Sequence, residues 1–132
     1  VDLTIPTCPI DGDEFMRIAN NLIDGIVPKI PQHPVCYECQ TRGYECLLLK
    51  GEICLGPITL AGCKAVCLKS KQTCWGCRGL FENAQVFNFI NHLLNLFPRE
   101  QVYRVMEVFG ARDTIMAEFT KEQKNQVLVK NK

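Results

Sequence analysis

Four cysteines and three lysines, but no acidic residue, occupy the fifteen positions of CKAVCLKSKQTCWGC, residues 63–77. Cysteine thiolates bind zinc and iron–sulfur clusters, and cysteines also form disulfides. Their close spacing here predicts a site that gathers sulfur. The lysines between them indicate that the bound group carries negative charge, as a four-iron cluster with four thiolates does.

The whole chain contains nine cysteines in 132 residues, and eight of them lie between residues 36 and 77. Chain order divides these eight into two sets of four. The first quartet is Cys36, Cys39, Cys46 and Cys54, and the second quartet is Cys63, Cys67, Cys74 and Cys77. Each quartet contains one CxxC pair, which lets two thiolates from one tight turn reach the same metal centre. Cys8 stands apart.

Three kinds of site compete for these cysteines. Disulfides suit exported mini-proteins, but the cysteine count is odd and the chain start VDLTIPTCPI lacks the features of a signal peptide. A zinc site usually joins two CxxC-like pairs. The six residues between Cys39 and Cys46, and the seven between Cys46 and Cys54, fit an iron–sulfur cube better, because its corners face different directions. Iron–sulfur is therefore favoured over zinc, and disulfides are disfavoured.

The sequence around the cysteines is apolar and glycine-rich, which suits a bulky inorganic group. Glycine lets the backbone approach such a group and adopt positive φ. The glycines concerned are Gly51, Gly56, Gly62, Gly76 and Gly79. The side chains expected to exclude water are Leu47, Leu48, Leu49, Leu55, Leu60 and Trp75, for which ordinary core packing is an equal explanation.

Charge differs between the two quartets. The segment around the second quartet carries four cations and no acid: Lys64, Lys69, Lys71 and Arg78. The segment of the first quartet carries two cations against three acids: Arg42, Lys50, Glu38, Glu45 and Glu52. Because positive charge favours the more negative, reduced state of a cluster, we expect the second quartet to hold the cluster of higher potential.

The motifs CYECQ, CLLLKGEICLGPITLAGCKAVC and CWGCRG resemble the C-terminal half of the small subunit of nickel–iron hydrogenases. The resemblance covers most of residues 1–80. It is best to the cytoplasmic, F420-non-reducing (methyl-viologen-reducing) type of archaea and bacteria, which includes the subunit serving a heterodisulfide reductase. It implies an electron-transfer subunit with two 4Fe–4S clusters. The first quartet then corresponds to the distal ligands and the second to the medial ligands.

Two departures from the family concern the N-terminal part. TCPIDGDEF resembles the GCPP-type segment that supplies the last ligand of a proximal cluster, so Cys8 is a candidate lone ligand, with Thr7 in place of the usual Gly. The flavodoxin-like domain that supplies the other proximal ligands is not in this sequence, so Cys8 alone cannot hold a cluster. The chain also starts without Met, which indicates a processed chain or a piece of a longer one.

Many relatives open the distal set with HxxC, and His33 lies three residues before Cys36. We expect His33 to be a solvated loop residue, because Cys39 already completes the first quartet. His92, far from any ligand pattern, is expected to be structural or exposed.

The segments on either side of the cysteine region are predicted to contain helices. Asp11 or Asp13 can cap a helix that runs to about Asp24 and ends at Gly25. Its expected buried stripe is Phe15, Ile18, Leu22 and Ile23. The Pro-rich IVPKIPQHPV is expected to be an extended tether.

After Gly79, apolar residues recur at helical spacing. The first of these helices is expected to bury Val86, Phe87, Ile90, Leu93, Leu94 and Phe97. The second, with Pro98 in its first turn and Gly110 as its stop, is expected to bury Val102, Val105, Met106 and Phe109. A third helix runs from Asp113 past Phe119, and KEQKNQVLVKNK is expected to be a frayed or partner-bound tail.

We therefore expect a mainly α fold with irregular loops: an N-terminal segment (1–31), a two-cluster iron–sulfur module (32–79) and C-terminal helices (80–132). The expected function is electron relay in a cytoplasmic oxidoreductase complex, with no catalysis by this chain alone. Partners would be a large catalytic subunit and a flavoprotein or iron–sulfur acceptor. No feature predicts nucleic-acid binding or a membrane span. The alternatives are an adaptor in a non-hydrogenase complex, such as heterodisulfide reductase, and a zinc-binding interaction module.

Overall fold

The computed structural model of the chain describes residues 3–5 and 10–131. Within these ranges the backbone forms six α-helices joined by irregular loops, with isolated antiparallel bridges between Pro34 and Leu60 and between Thr59 and Leu80. The helices are α1 (Gly12–Ile23), α2 (Val35–Thr41), α3 (Val66–Lys69), α4 (Val86–Leu96), α5 (Arg99–Glu107) and α6 (Arg112–Lys130). The predicted mainly α class is therefore confirmed for the described part of the chain.

Helix α1 begins and ends where the sequence predicts. The Asp11 carboxylate accepts a hydrogen bond from the Glu14 amide at 2.9 Å, which is the expected N-cap. The helix ends at Ile23, and Gly25 follows with φ of +72°, a conformation that glycine adopts without strain. Residues 26–33 of the predicted tether form neither helix nor strand, Pro34 forms an isolated bridge, and α2 starts at Val35, the last residue of the predicted tether.

The predicted buried stripe of α1 is wrong apart from Ile18. Phe15, Leu22 and Ile23 are exposed, whereas Glu14 and Ile18 are buried. Glu14 and Ile18 lie four residues apart and so share one face of the helix. That face points inward because Glu14 has a buried partner elsewhere in the chain.

The partner of Glu14 is Arg78, 64 positions later in the sequence. Arg78 donates from Nη1 and Nη2 to the two Glu14 carboxylate oxygens, each at 2.8 Å. Beside this pair, Lys64 Nζ lies 2.6 Å from an Asp13 carboxylate oxygen and 3.2 Å from one of Asp11. The acidic first turn of α1 is thus held against two cations that directly adjoin cysteines of the second quartet.

The main hydrophobic core lies among the last three helices and receives Leu55 and Ile58 from the cysteine region. Its buried members are Leu55, Ile58, Ala84, Val86, Ile90, Leu93, Val102, Met106 and Ile115. Helix α6 also caps α4, because the Glu122 carboxylate accepts a hydrogen bond from the Phe87 amide at 2.7 Å. The loops that carry the cysteines are therefore anchored on a helical base.

Two predictions for the C-terminal part need correction. Phe109 is 46% exposed because α5 ends at Glu107, before that residue is reached. The tail was predicted to be frayed or partner-bound, and the frayed form is wrong over the described residues, since α6 continues to Lys130. Residues 121–130 are mostly good helix formers without Gly or Pro, which explains the continuation. The second and third predicted segments share one core, and the boundaries of all three stay predictions.

The Glu14–Arg78 pair gives a test of how α1 is held. We expect Glu14→Gln to lower the free energy of unfolding by about 3–5 kcal/mol, because it leaves the buried Arg78 charge without its counter-charge. The exposed Asp13→Asn is the matched control and should cost less than about 1 kcal/mol. Urea unfolding of the three proteins measures both effects, and equal losses would show that the buried pair does not anchor α1.

Candidate metal centres

The first quartet is assembled from one helix and the loops that follow it. Cys36 and Cys39 lie on α2, while Cys46 and Cys54 lie in the loops between α2 and α3. Cys39 and Cys54 are buried, Cys36 is half-buried and Cys46 is exposed. A CxxC pair on one turn of helix and two loop cysteines therefore supply sulfur from several directions.

The four side chains of the first quartet lie close enough to interact electrostatically. Burial raises the pKa of Cys36 to about 12, and repulsion from Cys54, Cys39 and Cys46 adds to the rise. Burial also raises the pKa of Cys39 and of Cys54, again with repulsion from Cys46. A shared positive centre would remove this repulsion. No Lys or Arg side chain is among the groups that shift the pKa values of these three thiols.

Gly56 lies against two sulfurs of the first quartet. A Cβ atom at this position would stand 3.1 Å from Cys36 Sγ and 3.5 Å from Cys54 Sγ. The absence of a side chain at Gly56 therefore lets the backbone of the GPIT turn pack directly beside the sulfurs. This close approach is the role that the sequence predicts for glycine here.

The second quartet lines a single cavity. Cys63, Cys67, Cys74 and Cys77 all border a space of about 250 Å³. The walls between them come from Val35, Thr59, Ala65, Val66, Leu68, Trp75, Arg78, Val108 and Phe109. The cavity is thus largely apolar, with Arg78 as its charged wall residue.

Two residues with left-handed backbone conformation form the turn that connects Cys63 to the helix that carries Cys67. Lys64 and Ala65 adopt φ of +58° and +50°, which is uncommon for residues other than glycine. The turn lies between Cys63 and the short helix α3 that carries Cys67. It brings these two cysteines to the same cavity across only three intervening residues.

Burial affects the thiols of the second quartet as it does those of the first. It raises the pKa of Cys74 to about 12, with repulsion from Cys54 and Cys63 adding to the effect. It also raises the pKa of Cys63, where Glu38 acts in the same direction and Arg78 opposes it. The interaction between Cys74 and Cys54 joins members of different quartets.

A pair of hydrogen bonds links the two quartets directly. The Cys74 amide donates to Cys54 Sγ at 3.3 Å, and the Leu55 amide donates to the Cys74 carbonyl at 2.9 Å. Cys54 and Cys74 are both buried, so this link lies inside the protein. Any group bound by the first quartet through Cys54 is therefore one hydrogen bond from a ligand residue of the second.

The oxidation state of the cysteines bears on the disulfide alternative. In the part of the chain that the structure describes, no disulfide joins the four cysteines of the first quartet or Cys63, Cys67 and Cys74 of the second. Within the described residues, no three His, Cys, Asp or Glu side chains are arranged to hold a single metal ion.

Other residues singled out from the sequence have mixed outcomes. Leu47, Leu55 and Leu60 are buried as expected, but the prediction for Leu49 is wrong, because its side chain is 87% exposed at the tip of a turn. Among the glycines, Gly51, Gly62, Gly76 and Gly79 have the positive φ that was expected.

The two histidines and Cys8 are the remaining residues that the sequence analysis singled out. His92 is exposed, as predicted. His33 is half-buried rather than fully solvated, because its ring packs edge-on against that of Tyr37 with centroids 4.6 Å apart. Cys8 lies outside the described residues, and its suggested role stays a prediction.

The charge contrast between the quartets changes once long-range contacts are known. Arg78 is neutralised by Glu14, and Lys64 is paired with Asp11 and Asp13. Glu38, which the sequence assigns to the first quartet, instead accepts a hydrogen bond from the Gly62 amide beside Cys63. The count of local charges therefore overstates the difference between the two sites, and the predicted order of potentials loses most of its basis.

Sequence reasoning missed the role of α1 in the second site. The contacts of Asp13 with Lys64 and of Glu14 with Arg78 span 51 and 64 positions, so no local pattern reveals them. One sequence feature could have indicated these contacts. The segment DGDE is acidic, whereas all charged residues around the second quartet are Lys or Arg.

Among the described residues, no helix combines the length and the hydropathy needed to cross a bilayer.

Known proteins similar to this chain are hydrogenase subunits. Over 111 residues it is 39% identical to the delta subunit of sulfhydrogenase 2 from Pyrococcus furiosus, an alignment that covers 83% of this chain and 47% of that protein. It is 51% identical over 107 residues to the iron–sulfur subunit of the F420-non-reducing hydrogenase from Archaeoglobus profundus, covering 60% and 33%. It is 35% identical over 97 residues to a vhu subunit of the F420-non-reducing hydrogenase from Methanocaldococcus jannaschii, covering 60% and 34%.

These similarities identify homologues among hydrogenase subunits, one of which is named an iron–sulfur subunit. The chain spans about a third to a half of the length of these relatives. No family model matches the chain.

Gly56 provides a test of the first quartet. We expect Gly56→Ala to weaken metal binding there, because the added methyl group would crowd Cys36 Sγ and Cys54 Sγ. Iron content after anaerobic loading should fall toward about half, since the second quartet is untouched. Gly12→Ala is the matched control, because a Cβ at Gly12 meets nothing within 4 Å. Full iron content in the Gly56→Ala protein would contradict the need for a glycine beside these two sulfurs.

The buried thiols also predict a pH dependence for the metal-free chain. The pKa values of Cys36 and Cys74 rise from the ordinary 9.0 to about 12, so the folded state retains protons that the unfolded chain releases. This contribution to stability is complete below pH 9.0 and is lost as the pH rises toward about 12. Urea unfolding at about pH 8 and about pH 10.5 should show the loss.

The control for this measurement is Cys74→Ser, which removes one of the shifted thiols and should lose less stability over the same interval. Metal-loaded protein should also lose less, because its ligands are already deprotonated. A metal-free chain that is equally stable at both pH values would contradict the burial of these thiols.

Proposed function

We propose that this chain is an electron-transfer subunit of hydrogenase type, which relays electrons through two 4Fe–4S clusters within an oxidoreductase complex. The first quartet would hold the distal-like cluster and the second quartet the medial-like one. The observation that carries the proposal is the link between the quartets, in which the buried Cys74 amide donates to Cys54 Sγ at 3.3 Å. Two redox groups joined in this way can exchange an electron without a mobile carrier.

Features of both sites support a fit with iron–sulfur clusters. Gly56 leaves room beside two sulfurs of the first quartet, and amide donors such as that of Cys74 are the groups that tune cluster potentials. In the wall of the second cavity, Arg78 retains a buried Nε–H without a protein acceptor among the described residues. A bound cluster would supply one-electron storage at each quartet, while the chain supplies ligands, hydrogen bonds and exclusion of water.

The proposed partners follow from the relatives, which are hydrogenase subunits. On one side a large catalytic subunit, or another oxidoreductase subunit, would exchange electrons with the second quartet. On the other side a flavoprotein or iron–sulfur acceptor would exchange them with the first quartet, where Cys46 is exposed. The complex would be cytoplasmic, and this chain would not be catalytic alone. Cys8 is retained only as a candidate lone ligand of proximal type.

The alternatives differ in what they predict for metal and partners. An adaptor in a heterodisulfide reductase complex would keep both clusters, but the relatives described above are not named for that activity. A zinc-binding module would keep the quartets but carry no electrons. Both alternatives are therefore outcomes of the experiments below.

Metal analysis of anaerobically loaded protein tests the cofactor. We expect a brown protein with about eight irons and about eight sulfides per chain. Cys39→Ser and Cys67→Ser, which each remove one ligand from a different quartet, should each reduce the iron to about half. A colourless protein with zinc and no iron would refute the proposal in favour of the zinc module.

Copurification from the native host under anaerobic conditions tests the complex. A nickel-containing large subunit would support the hydrogenase-type assignment. A flavoprotein or disulfide reductase without nickel would instead identify the chain as an adaptor of another oxidoreductase.

A further inference from the structure

Arg78 is buried with one of its donors unused. The residue is 3% exposed, and its Nη1 and Nη2 atoms donate to the two oxygens of Glu14 at 2.8 Å. Its Nε atom is buried without a hydrogen-bond partner among the described residues. A buried charged donor without an acceptor is costly, so this Nε–H calls for an acceptor of another kind.

Arg78 lines two cavities of about 250 Å³ each, and one of them, the cavity of the second quartet, could contain such an acceptor. Arg78 directly follows Cys77 in the sequence and lines this cavity together with all four cysteines. It also lies within electrostatic range of Cys63, on whose pKa it acts against the effect of burial. The guanidinium therefore adjoins the sulfur-lined space from within the protein.

Glu14 and Gly62 fix the orientation of the guanidinium. The bidentate contact with Glu14 holds the plane of the group, because both parallel N–H bonds must be satisfied together. Gly62 permits this arrangement, since a Cβ there would overlap the Arg78 guanidinium and stand 2.9 Å from Glu14 Oε1. The unused donor thus belongs to a group that cannot readily turn elsewhere.

We propose that Arg78 donates its Nε–H to a sulfur of the iron–sulfur cluster held by the second quartet, and that Glu14 is the positioning residue that holds Arg78 for this contact. The inference rests on the proposed function, because it requires a cluster in this cavity. It adds a direct protein donor to the cluster from outside the cysteine set.

The contact has a consequence for the redox potential. Reduction adds negative charge to the cluster and its sulfurs, so a hydrogen bond to sulfur stabilises the reduced state more than the oxidised one. Glu14 cancels much of the long-range effect of the Arg78 charge. The directional hydrogen bond then remains as the specific contribution of Arg78 to the potential of this cluster.

Arg78→Lys tests the contact, because lysine keeps the charge but has no Nε–H held in a planar fork with the two N–H groups that bond Glu14. The measurement is a redox titration of the anaerobically loaded full chain, followed by EPR. We expect two couples in the wild-type chain, of which one moves to lower potential in the variant while the other stays in place. Arg112→Lys is the matched control, since it alters an arginine–glutamate pair at the exposed start of α6.

The outcomes separate this inference from the function on which it rests. A wild-type chain without iron would overturn both the proposed function and the role of Arg78. Wild-type and Arg78→Lys proteins with equal iron and the same two potentials would overturn the role of Arg78 alone. A shift of one potential in Arg78→Lys, with neither changed in Arg112→Lys, is the expected result.

A second measurement on the wild-type protein covers the case in which Arg78→Lys does not fold or bind iron. Arginine labelled with ¹⁵N at Nε should give a nitrogen hyperfine coupling to the reduced cluster in pulsed EPR. The coupling should persist in labelled Arg42→Lys protein, which lacks the other arginine of the cysteine region. Absence of such a coupling in iron-loaded wild-type protein would overturn the inference.

Discussion

The close packing of buried cysteine side chains is the physical constraint on which this structure depends. Cys36, Cys54 and Cys74 each lie in surroundings that oppose ionisation, and neighbouring thiols oppose it further. Thiolates in this position need compensation by positive charge, because an isolated buried charge is expensive. Metal binding would supply this compensation and release the protons, and metal uptake would then be coupled to the stability of these loops.

The helices anchor these loops by hydrophobic packing and by ion pairs with distant parts of the chain. Leu55 and Ile58 enter the core formed by α4, α5 and α6, so the segment that follows Cys54 is held by hydrophobic packing. On the other side, Glu14 and its neighbours on α1 face the cations beside the second quartet. The electrostatic surroundings of the second site are therefore set by a helix that begins about fifty residues before it.

The sequence was most informative where one type of residue dominates a local pattern. The Asp11 cap and the apolar spacing of α4 predict those helices correctly, and the cysteines of the second quartet, which are consecutive along the chain, line one cavity. It was least informative where contacts between distant segments decide which side chains are buried. The inward turn of Glu14 and the exposure of Phe15 follow from the buried partner Arg78, which no helical periodicity can reveal.

The same limitation affected the electrostatic prediction. A count of charges near Cys63 and Cys77 suggests a strongly basic site, but Lys64 and Arg78 are both paired with acids of α1. Local composition therefore predicts the kind of site, while the electrostatic surroundings of the site depend on three-dimensional contacts. The ligand assignment itself remains a proposal that rests on the grouping of the sulfurs and on the hydrogenase relatives.

The most direct test of the central claim is the magnetic interaction between the two quartets. In anaerobically loaded and fully reduced protein, EPR should integrate to two unpaired spins per chain, with a spectrum broadened by spin–spin coupling. The coupling should disappear when either quartet is inactivated by replacing one of its cysteines. Two reduced clusters without any mutual coupling, or one spin shared by all eight cysteines, would contradict the account.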